Sequence, residues 1–460
     1  MLHRLAVYVV PTAAVATVAF VLLGPGARRA AVGVRVHGVA ADGTSVLALR
    51  LVGVQRLSGV DDAVPVDGLT VTASAGAQAL PPWSGATDAD GVAEARLEAA
   101  APLHGPVDLV VKRGEVVLAE GRIALTRTAR HSFQLATLRG AQRGELFIRV
   151  DALRGVFAAP FADGADVQVL LPGGGPVGAG IEVKAELTGG NVTPKSARTD
   201  ARGMVRLLIE PLAQTVDLAI DAAGPKSVEG SAEQGKTGHW EGALPVGTGT
   251  IWLDAARWDG ERALRLVAPT KRSAAYLSVY GENGRVFGAV VPLAQDERGL
   301  FGGSVTLPEL RQPRLLYAVV AADPLEQGAG TAAWPVTPPS GGPTAVPLQT
   351  LLDGLPAADR RESARVVRAR RGGMLVLGVA MLLEVALLMF GARASRRRLE
   401  THLDRVLAAP EADGEPAAMG KAERASVVAG SSDSAVYRTV AYASLIILAF
   451  SIIAALASLR

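Results

Sequence analysis

The 460-residue chain contains no cysteine. Disulfide bonds, thiol catalysis and thiolate metal sites are therefore excluded, while the redox compartment stays open. Aromatic residues make up 4% of the chain and charged residues 20%, so small aliphatic side chains must supply the core. Lysine is scarce, at 7 residues against 40 arginines, which indicates codon bias in a GC-rich bacterial genome. The arginines are scattered among 44 acidic residues without a basic face, so no nucleic-acid binding is expected.

Signals for enzymatic chemistry are also scarce. The six histidines show no metal-ligand spacing, and no Gly-x-Ser-x-Gly motif occurs. Residues 230–237 match the phosphate-binding loop pattern, in which Lys236 would contact the terminal phosphates and Thr237 would bind Mg²⁺. That motif needs a buried strand before it and a helix after it, whereas glycine and proline flank it here, so a chance match in a linker is favoured. We predict no catalytic residue, no cofactor and no enzymatic activity.

One acidic turn is the remaining candidate metal site. Asp88 and Asp90, followed by Gly91, have the spacing of the first ligands of a calcium loop. Such a loop needs a glutamate at its twelfth position, where Ala99 stands in this chain. A structural turn is therefore the favoured interpretation, and we predict no metal site.

Three apolar stretches, residues 5–23, 373–392 and 439–459, contain 19, 20 and 21 residues. A helix needs about 20 mainly apolar residues to cross a bilayer, so three transmembrane helices are predicted. The first stretch follows a short basic tip that includes Arg4. The residues after the stretch, 24–30, offer no clean cleavage site, so an uncleaved signal anchor is favoured.

The orientation across the membrane does not follow from the flanking charges. With the large region outside, nine lysines and arginines flank the spans inside and ten flank them outside. The signal-like start and the β character of the large region break this tie. We expect the bacterial inner membrane, with the large region periplasmic or extracellular.

Two polar features interrupt the apolar stretches. Glu384 is the twelfth of the twenty residues in the second stretch, where a carboxylate usually faces another helix or a polar path. The alternative is a protonated glutamate that faces lipid or bonds a neighbouring helix. In the third stretch Ser444, Ser451 and Ser458 recur every seven residues, which suits close helix contact, although ordinary use of small residues gives the same pattern.

Arginines cluster at both ends of the second stretch. They are expected to lie among lipid phosphates on one side and to begin a short amphipathic helix, residues 395–409, on the other. That helix would rest on the inner membrane surface or dock a partner. The residues concerned are Arg365, Arg368, Arg370, Arg371, Arg396, Arg397 and Arg398.

The large region alternates short apolar runs with turn residues, and part of it repeats at an offset of 112 residues. In each copy a Thr-Asp-x-x-Gly turn opens a strand, because Asp accepts local N–H bonds and Gly permits a positive φ. The repeated residues are Thr87, Asp88 and Gly91 in the first copy and Thr199, Asp200 and Gly203 in the second.

The repeat, over about residues 34–128 and 145–222, resembles bacterial immunoglobulin-like and macroglobulin-type β-sandwich repeats. The resemblance implies a fold and says little about function. A thioester protease trap is not implied, because it requires a cysteine. The fold class expected is mainly β, with tandem Ig-like or macroglobulin-like β-sandwiches plus three transmembrane α-helices.

These patterns predict the following order of domains. Residues 1–32 form the signal anchor, 33–140 and 141–223 two β-sandwiches, 224–250 a Gly-rich linker, 251–323 a third β domain, 324–358 a Pro/Gly-rich tether, 359–372 a basic juxtamembrane segment, 373–392 the second span, 393–438 a cytoplasmic loop with the short amphipathic helix, and 439–460 the third span.

The leading functional hypothesis is a non-enzymatic envelope protein whose β-sandwiches bind or scaffold another protein or envelope component. Its partners would be membrane lipid and a protein of the envelope or membrane. The alternative is an accessory subunit of a membrane transport or export complex, with Glu384 acting within the bilayer. A sensor finds little support, since the predicted cytoplasmic loop has no recognisable signalling domain.

Overall fold

A computed structural model describes most of the chain. The described residues are 10–24, 26–57, 59–126, 136–224, 235–254, 263–308, 315–328, 330–335 and 348–408, with 420, 422, 423, 426, 440–442, 444, 446 and 449. The chain divides into two compact units. One unit is Val32–Ala357, and the other combines Met1–Ala31 with Ala358–Arg460.

The unit Val32–Ala357 contains three β-sandwiches. The first has strands β1 (Ala31–Gly38), β2 (Val46–Leu57), β3 (Val60–Ala63), β4 (Leu69–Ala75), β5 (Gln78–Ala79), β6 (Trp83–Gly85), β7 (Val92–Glu98), β8 (Val107–Arg113), β9 (Val116–Ile123) and β30 (Gln349–Asp353). One sheet has the order β3-β2-β1-β30 with β7 beside β2, and the other has the order β5-β4-β8-β9 with β6 beside β4. Aliphatic side chains such as Val34 and Leu69 fill the space between the sheets.

The last strand of the first sandwich comes from the far end of the unit. β30 pairs antiparallel with β1, so that Arg35 stands opposite Asp353 and their side chains form an ion pair at 3.2 Å. The sequence predicted a tether over residues 324–358, but the described residues of this range include two strands, β29 (Ala332–Pro335) and β30. The reason is that Leu351 and Leu352 pack against the first core, a contact that the Pro/Gly-rich composition does not reveal.

The second sandwich has strands β10 (Ala136–Thr137), β11 (Ala141–Gly144), β12 (Phe147–Ala152), β14 (Asp163–Leu170), β15 (Glu182–Thr188), β16 (Gly190–Thr193), β17 (Ser196–Arg198), β18 (Met204–Pro211), β19 (Asp217–Ala223) and β20 (Thr237–Ala243). Its sheets have the orders β10-β12-β14-β18-β16 and β11-β20-β19-β15-β17. A short parallel pair, β13 (Phe157–Ala158) and β21 (Val246–Gly247), lies beside them. The predicted linker 224–250 thus contributes a core strand, β20, because Trp240 is buried in this sandwich.

The third sandwich has strands β22 (Trp252–Asp254), β23 (Ala263–Ala268), β24 (Ala274–Gly281), β25 (Gly284–Pro292), β26 (Ala294–Gln295), β27 (Phe301–Thr306), β28 (Leu315–Ala321) and β29 (Ala332–Pro335). Its sheets have the orders β22-β23-β27-β26 and β25-β24-β28-β29.

The three sandwiches share one pattern of strand pairing. The pairs β2–β7, β14–β18 and β23–β27 are equivalent, and so are the triplets β4–β8–β9, β15–β19–β20 and β24–β28–β29. Two packed antiparallel sheets with this non-sequential pairing are typical of immunoglobulin-like domains. The expectation of a mainly β chain with tandem Ig-like sandwiches is therefore confirmed.

The other unit contains helix α1 (Val10–Leu23) and most of helix α2 (Leu355–Ala408). The sequence predicted a basic segment, a span and a separate amphipathic helix where the structure has one continuous helix of 54 residues. Pro356 stands in its first turn, where the absent N–H has no intrahelical partner to lose. Most of the following residues are good helix formers such as Ala, Leu and Arg, so no strong break divides the helix.

Only part of the three-span prediction is supported. Within the described residues, α2 is the one helix long and apolar enough to cross a membrane. The described part of the first stretch is the 14-residue helix α1. In the third stretch six residues are described as helical, namely 440–442, 444, 446 and 449, and the rest lie outside the described residues.

Candidate functional site

One face of α2 is buried along the apolar part of the helix. Val366, Gly373, Leu377, Glu384 and Leu388 recur at steps of seven, four, seven and four residues, and all five are buried. This spacing places them on a single stripe of the helix. Glu384 therefore points in the direction of the packed side chains.

The opposite side of α2 is apolar and exposed. Its side chains are between 53% and 73% exposed at Leu375, Val379, Leu382, Leu383, Met389 and Phe390. Exposed apolar side chains on one helical face are what a lipid environment requires. This helix is compatible with a membrane-anchored protein.

Helix α1 packs against α2 through small and branched side chains. Ala14 is 6% exposed and contacts Leu377, with Val18 beside them. Gly373 lies so close to Val21 that an added Cβ would stand 3.0 Å from a valine methyl group. Close approach at a glycine is a common device for helix packing in membranes.

Glu384 is the central polar group of this unit. Its side chain is 1% exposed, and neither carboxylate oxygen has a hydrogen-bond partner among the described residues. It lines a cavity of about 110 Å³ together with Met381, Val385, Leu388, Met389, Ala441 and Ser444. A buried polar group without a partner costs about 1–3 kcal/mol, and a charged one more. Within the described part of the chain, the carboxylate of Glu384 is therefore left without compensation for its burial.

The structure places only one of the three predicted serines. Ser444 is 6% exposed and lines the same cavity as Glu384. Ser451 and Ser458 lie outside the described residues. The serine stripe as a whole therefore stays a prediction, while its first member lies beside the buried carboxylate.

Two of the predicted surface arginines bind the segment that follows α1. Nη2 of Arg365 donates to the carbonyl oxygen of Ala27 at 2.7 Å and to Oε1 of Glu362 at 2.6 Å. Nε of Arg370 donates to the carbonyl oxygen of Gly26 at 3.3 Å. The hydrogen bonds from Arg365 lower the pKa of Glu362, with a smaller contribution from the backbone N–H of Arg29.

The other predicted arginines lie on exposed positions of α2. Nε of Arg368 bonds the carbonyl oxygen of Ala364 one turn earlier, at 3.3 Å. Arg371 is exposed on the same helix, close to the exposed apolar face. Arg396, Arg397 and Arg398 are exposed beyond the apolar stretch.

The two predicted turns have nearly identical hydrogen bonds. Oδ1 of Asp88 accepts from the N–H groups of Asp90 and Val92 at 3.0 and 2.8 Å. Oδ1 of Asp200 accepts from those of Arg202 and Met204, both at 2.8 Å. These backbone bonds, the one from Met204 first, lower the pKa of Asp200.

The remaining turn residues fix the strands on either side. Gly91 and Gly203 have φ angles of 78° and 69°, in the region that glycine adopts most readily. Oγ1 of Thr87 accepts from the N–H of Val66 at 2.7 Å, and Oγ1 of Thr199 accepts from that of Ile181 at 3.0 Å. Among the described residues, no group of three or more His, Cys, Asp or Glu is placed to hold a metal ion.

The third sandwich carries the same turn, which the sequence comparison missed. Oδ1 of Asp296 accepts from the N–H groups of Arg298 and Leu300 at 2.9 and 3.0 Å, and Gly299 has a φ of 80°. The Asp-x-x-Gly spacing is present in the sequence, but Gln295 replaces the threonine and the offset from the second copy is shorter. The signal that identifies this turn is therefore the spacing of the aspartate and the glycine alone.

A buried ionic cluster joins the first and third sandwiches and was also missed. Nε of Arg50 donates to Oε1 of Glu94 at 2.6 Å, and Nη1 of Arg50 lies 3.0 Å from Oε1 of Glu326. Nη2 of Arg285 donates to Oε1 of Glu94 at 2.8 Å, while its Nε donates to Oγ of Ser278 at 2.8 Å. Both arginine side chains are 0% exposed.

Several polar groups complete this cluster. Ser278 donates a short hydrogen bond to Glu326, and the hydroxyl of Tyr280 donates to its other oxygen at 3.0 Å. Burial, followed by the charge of Glu326, raises the pKa of Tyr280. Arg50 lies in a strand of mostly apolar residues, and this sequence context does not show which groups would neutralise its charge. No local pattern could have paired it with residues more than 200 positions away.

Comparisons with known proteins give fold resemblances only. No protein-family model and no curated protein matches the chain. Among solved structures, the D0-D1 domain of intimin is 19% identical over 45% of this chain and 93% of that one, with a TM-score of 0.16. Invasin, a bacterial integrin-binding protein, is 12% identical over 67% of this chain and 60% of that one, also with a TM-score of 0.16.

A macroglobulin gives a similar result. Native alpha-2-macroglobulin from Escherichia coli, over domains MG0-NIE-MG1, is 13% identical over 66% of this chain and 97% of that one, with a TM-score of 0.15. TM-scores this low carry no argument, so the assignment of tandem Ig-like β-sandwiches rests on the strand pairing itself.

Proposed function

We propose that the protein is a non-enzymatic, membrane-anchored component of a bacterial cell envelope. Its three sandwiches bind or scaffold another protein or envelope component. The apolar part of α2 spans the inner membrane, together with the first and third apolar stretches. The sandwiches lie in the periplasm or outside the cell.

The pairing of β1 with β30 is the observation that supports this proposal most directly. β1 follows the end of α1 by a few residues, and a single residue separates the end of β30 from the start of α2. The polypeptide therefore enters and leaves the β unit through neighbouring strands. Oδ1 of Asp353 in β30 accepts from the N–H of Leu355 at 2.9 Å, which caps the start of α2. A module with adjacent ends suits display from a membrane by helices on both sides.

The chemistry of α2 supports the membrane anchor. Residues 373–392 form 20 helical positions, which at 1.5 Å per residue extend about 30 Å, the thickness of the hydrocarbon core. Exposed arginines precede and follow this stretch, where lipid headgroups would lie.

Crosslinking in intact cells tests the proposal. A tagged full-length chain is compared with a variant that lacks residues 32–354. These limits are chosen so that β30 and its partner β1 are removed together. Both proteins should stay in the membrane after alkaline extraction. A membrane-impermeable crosslinker should join a defined partner to the full-length chain alone, and external protease should digest the β unit in spheroplasts.

Two results would contradict the proposal. Release of the full-length chain by alkaline extraction would exclude a membrane anchor. Protection of the β unit from external protease would place it in the cytoplasm.

A second candidate function is an accessory subunit of a membrane transport or export complex. The observation that favours it is the buried carboxylate of Glu384 in the apolar helix, which has no hydrogen-bond partner among the residues that the structure describes. In this case the variant without residues 32–354 would still co-purify with the partner, because the membrane helices would provide the contact.

A further inference from the structure

Glu384 needs a counter-charge or a hydrogen-bond donor that the described residues do not provide. Both carboxylate oxygens are buried, and neither has a hydrogen-bond partner in the part of the chain that the structure describes. In an apolar environment an isolated carboxylate is strongly unfavourable, so intramembrane acids usually pair with another group.

The sequence restricts where that group can come from. Residues 5–23, 373–392 and 439–459 contain no lysine, arginine or histidine. On α2 the nearest arginines in sequence are Arg371 and Arg393, 13 and 9 residues from Glu384. At 1.5 Å per residue they lie about 20 and 14 Å along the helix axis, beyond the reach of one side chain. A second copy of the chain would bring another glutamate to this depth, not a cation.

We propose that Glu384 is the docking site for a lysine or arginine in the transmembrane helix of a partner protein. The inference rests on the second candidate function and names the chemistry of its membrane contact. The partner helix carries one basic residue near the middle of its apolar stretch, and that residue pairs with Glu384 when the two helices pack.

The shape of the site fits such a side chain. The cavity of about 110 Å³ has walls of apolar side chains, with Glu384 and Ser444 as its polar members. The apolar stem of a lysine or arginine can lie along such walls while its charged end reaches the carboxylate. Met389 lines the cavity and is 54% exposed, so the cavity reaches the outer surface of α2 at this residue.

Designed peptides and the full-length protein test the inference in vesicles. The absence of cysteine allows one fluorophore to be attached through a single substitution, Thr401→Cys, at an exposed position of α2. The protein is reconstituted in phosphatidylcholine vesicles, and energy transfer is measured against labelled leucine-alanine transmembrane peptides. One peptide has a central lysine, and the matched peptide has leucine at that position.

The lysine peptide should associate about tenfold more strongly than the leucine peptide, in the range found for polar contacts between membrane helices. Glu384→Gln should remove this preference, whereas Glu400→Gln, an exposed acid on the same helix, should retain it. Glu384→Lys should reverse the preference, so that a peptide with a central glutamate binds better than the lysine peptide. This reversal guards against loss of binding through misfolding.

Three results would overturn the inference. Equal association of the lysine and leucine peptides would show that the carboxylate is neutralised by a proton. A preference that survives Glu384→Gln would place the contact elsewhere. A preference for the lysine peptide that appears only in the variant Arg438→Gln would show that Arg438, next to the third apolar stretch, already supplies the positive charge that pairs with Glu384. Flotation of the protein with the vesicles is measured separately, and failure to float would contradict the membrane function instead.

Discussion

The buried cluster between the first and third sandwiches should stabilise their contact, and Glu94→Gln tests this. Glu94 accepts hydrogen bonds from two fully buried guanidiniums, those of Arg50 and Arg285. The substitution preserves the shape of the side chain and removes its charge. It also places an amide nitrogen where Oε2 now lies, 2.8 Å from Nη2 of Arg285, so that two donors would face each other.

The expected loss follows from the burial of the partners. Removing one member of a buried ion pair costs about 3–5 kcal/mol, since the remaining charge is left unpaired in a poorly solvated site. Glu94 is itself 13% exposed, and Arg50 keeps its contact with Glu326 at 3.0 Å. We therefore expect the lower end of the range, about 3 kcal/mol, for the free energy of opening this interface.

Hydrogen exchange of the full-length protein in detergent measures this quantity. Because 1.4 kcal/mol corresponds to a factor of ten, amides of β24 that exchange through opening of the interface should exchange about 100-fold faster in the variant. Arg206→Met is the matched control. Arg206 pairs with Asp166 across an exposed strand pair and is 68% exposed, so its loss should cost less than about 1 kcal/mol.

A second variant separates charge from packing. Glu94→Leu combined with Arg285→Met removes the acceptor together with one of its two donors, while Arg50 keeps its contact with Glu326. This double variant should cost less than Glu94→Gln alone, since buried ion pairs can be replaced by apolar groups with little loss. Unchanged exchange of β24 in Glu94→Gln would refute the reasoning, because it would show that the cluster makes no net contribution to the interface.

Three further predictions concern single positions. Gly203→Ala should lower the free energy of unfolding by about 1–3 kcal/mol in denaturant titrations. The φ of Gly203 is 69°, and an added Cβ would lie 2.8 Å from the carbonyl oxygen of Val169. Gly173→Ala is the control and should change the free energy little, because there is open space around Gly173. Burial raises the pKa of Asp163 to about 6 from 3.8, so its contribution to stability is present below pH 4 and is lost as the pH rises to about 6. Asp163→Asn should therefore be more stable than the wild type at pH 7 by up to about 3 kcal/mol, and the difference should vanish near pH 3. Arg371→Gln should weaken co-purification of anionic lipid, measured by mass spectrometry of the detergent-extracted protein, and equal lipid retention would contradict a headgroup contact.

Much of the β architecture was predictable because its signals are local. The turns at Asp88 and Asp200 are closed by hydrogen bonds within five residues, so their sequence spacing is sufficient to locate them. The same spacing is present at Asp296, but without the threonine and the 112-residue offset that mark the first two turns as a repeat. The apolar stretch around Glu384 was likewise evident, since a run of apolar residues needs no knowledge of its neighbours.

Other features depend on contacts between distant residues. Nothing in residues 349–353 indicates that they pair with a strand more than 300 positions earlier, because strand pairing is decided by which edge remains open after the rest of the sandwich has formed. The ionic cluster around Arg50 and Glu94 has the same origin, since it exists only where two sandwiches meet.

The amino-acid sequence alone established the repeated turns, the strand-rich region and an apolar helix with a carboxylate near its centre, all of which are encoded in short segments. The tertiary structure decided that the ends of the β unit meet, that Arg50 is buried and that Glu384 has no partner among the described residues. These outcomes depend on the relative positions of segments far apart in the chain, which no local pattern specifies.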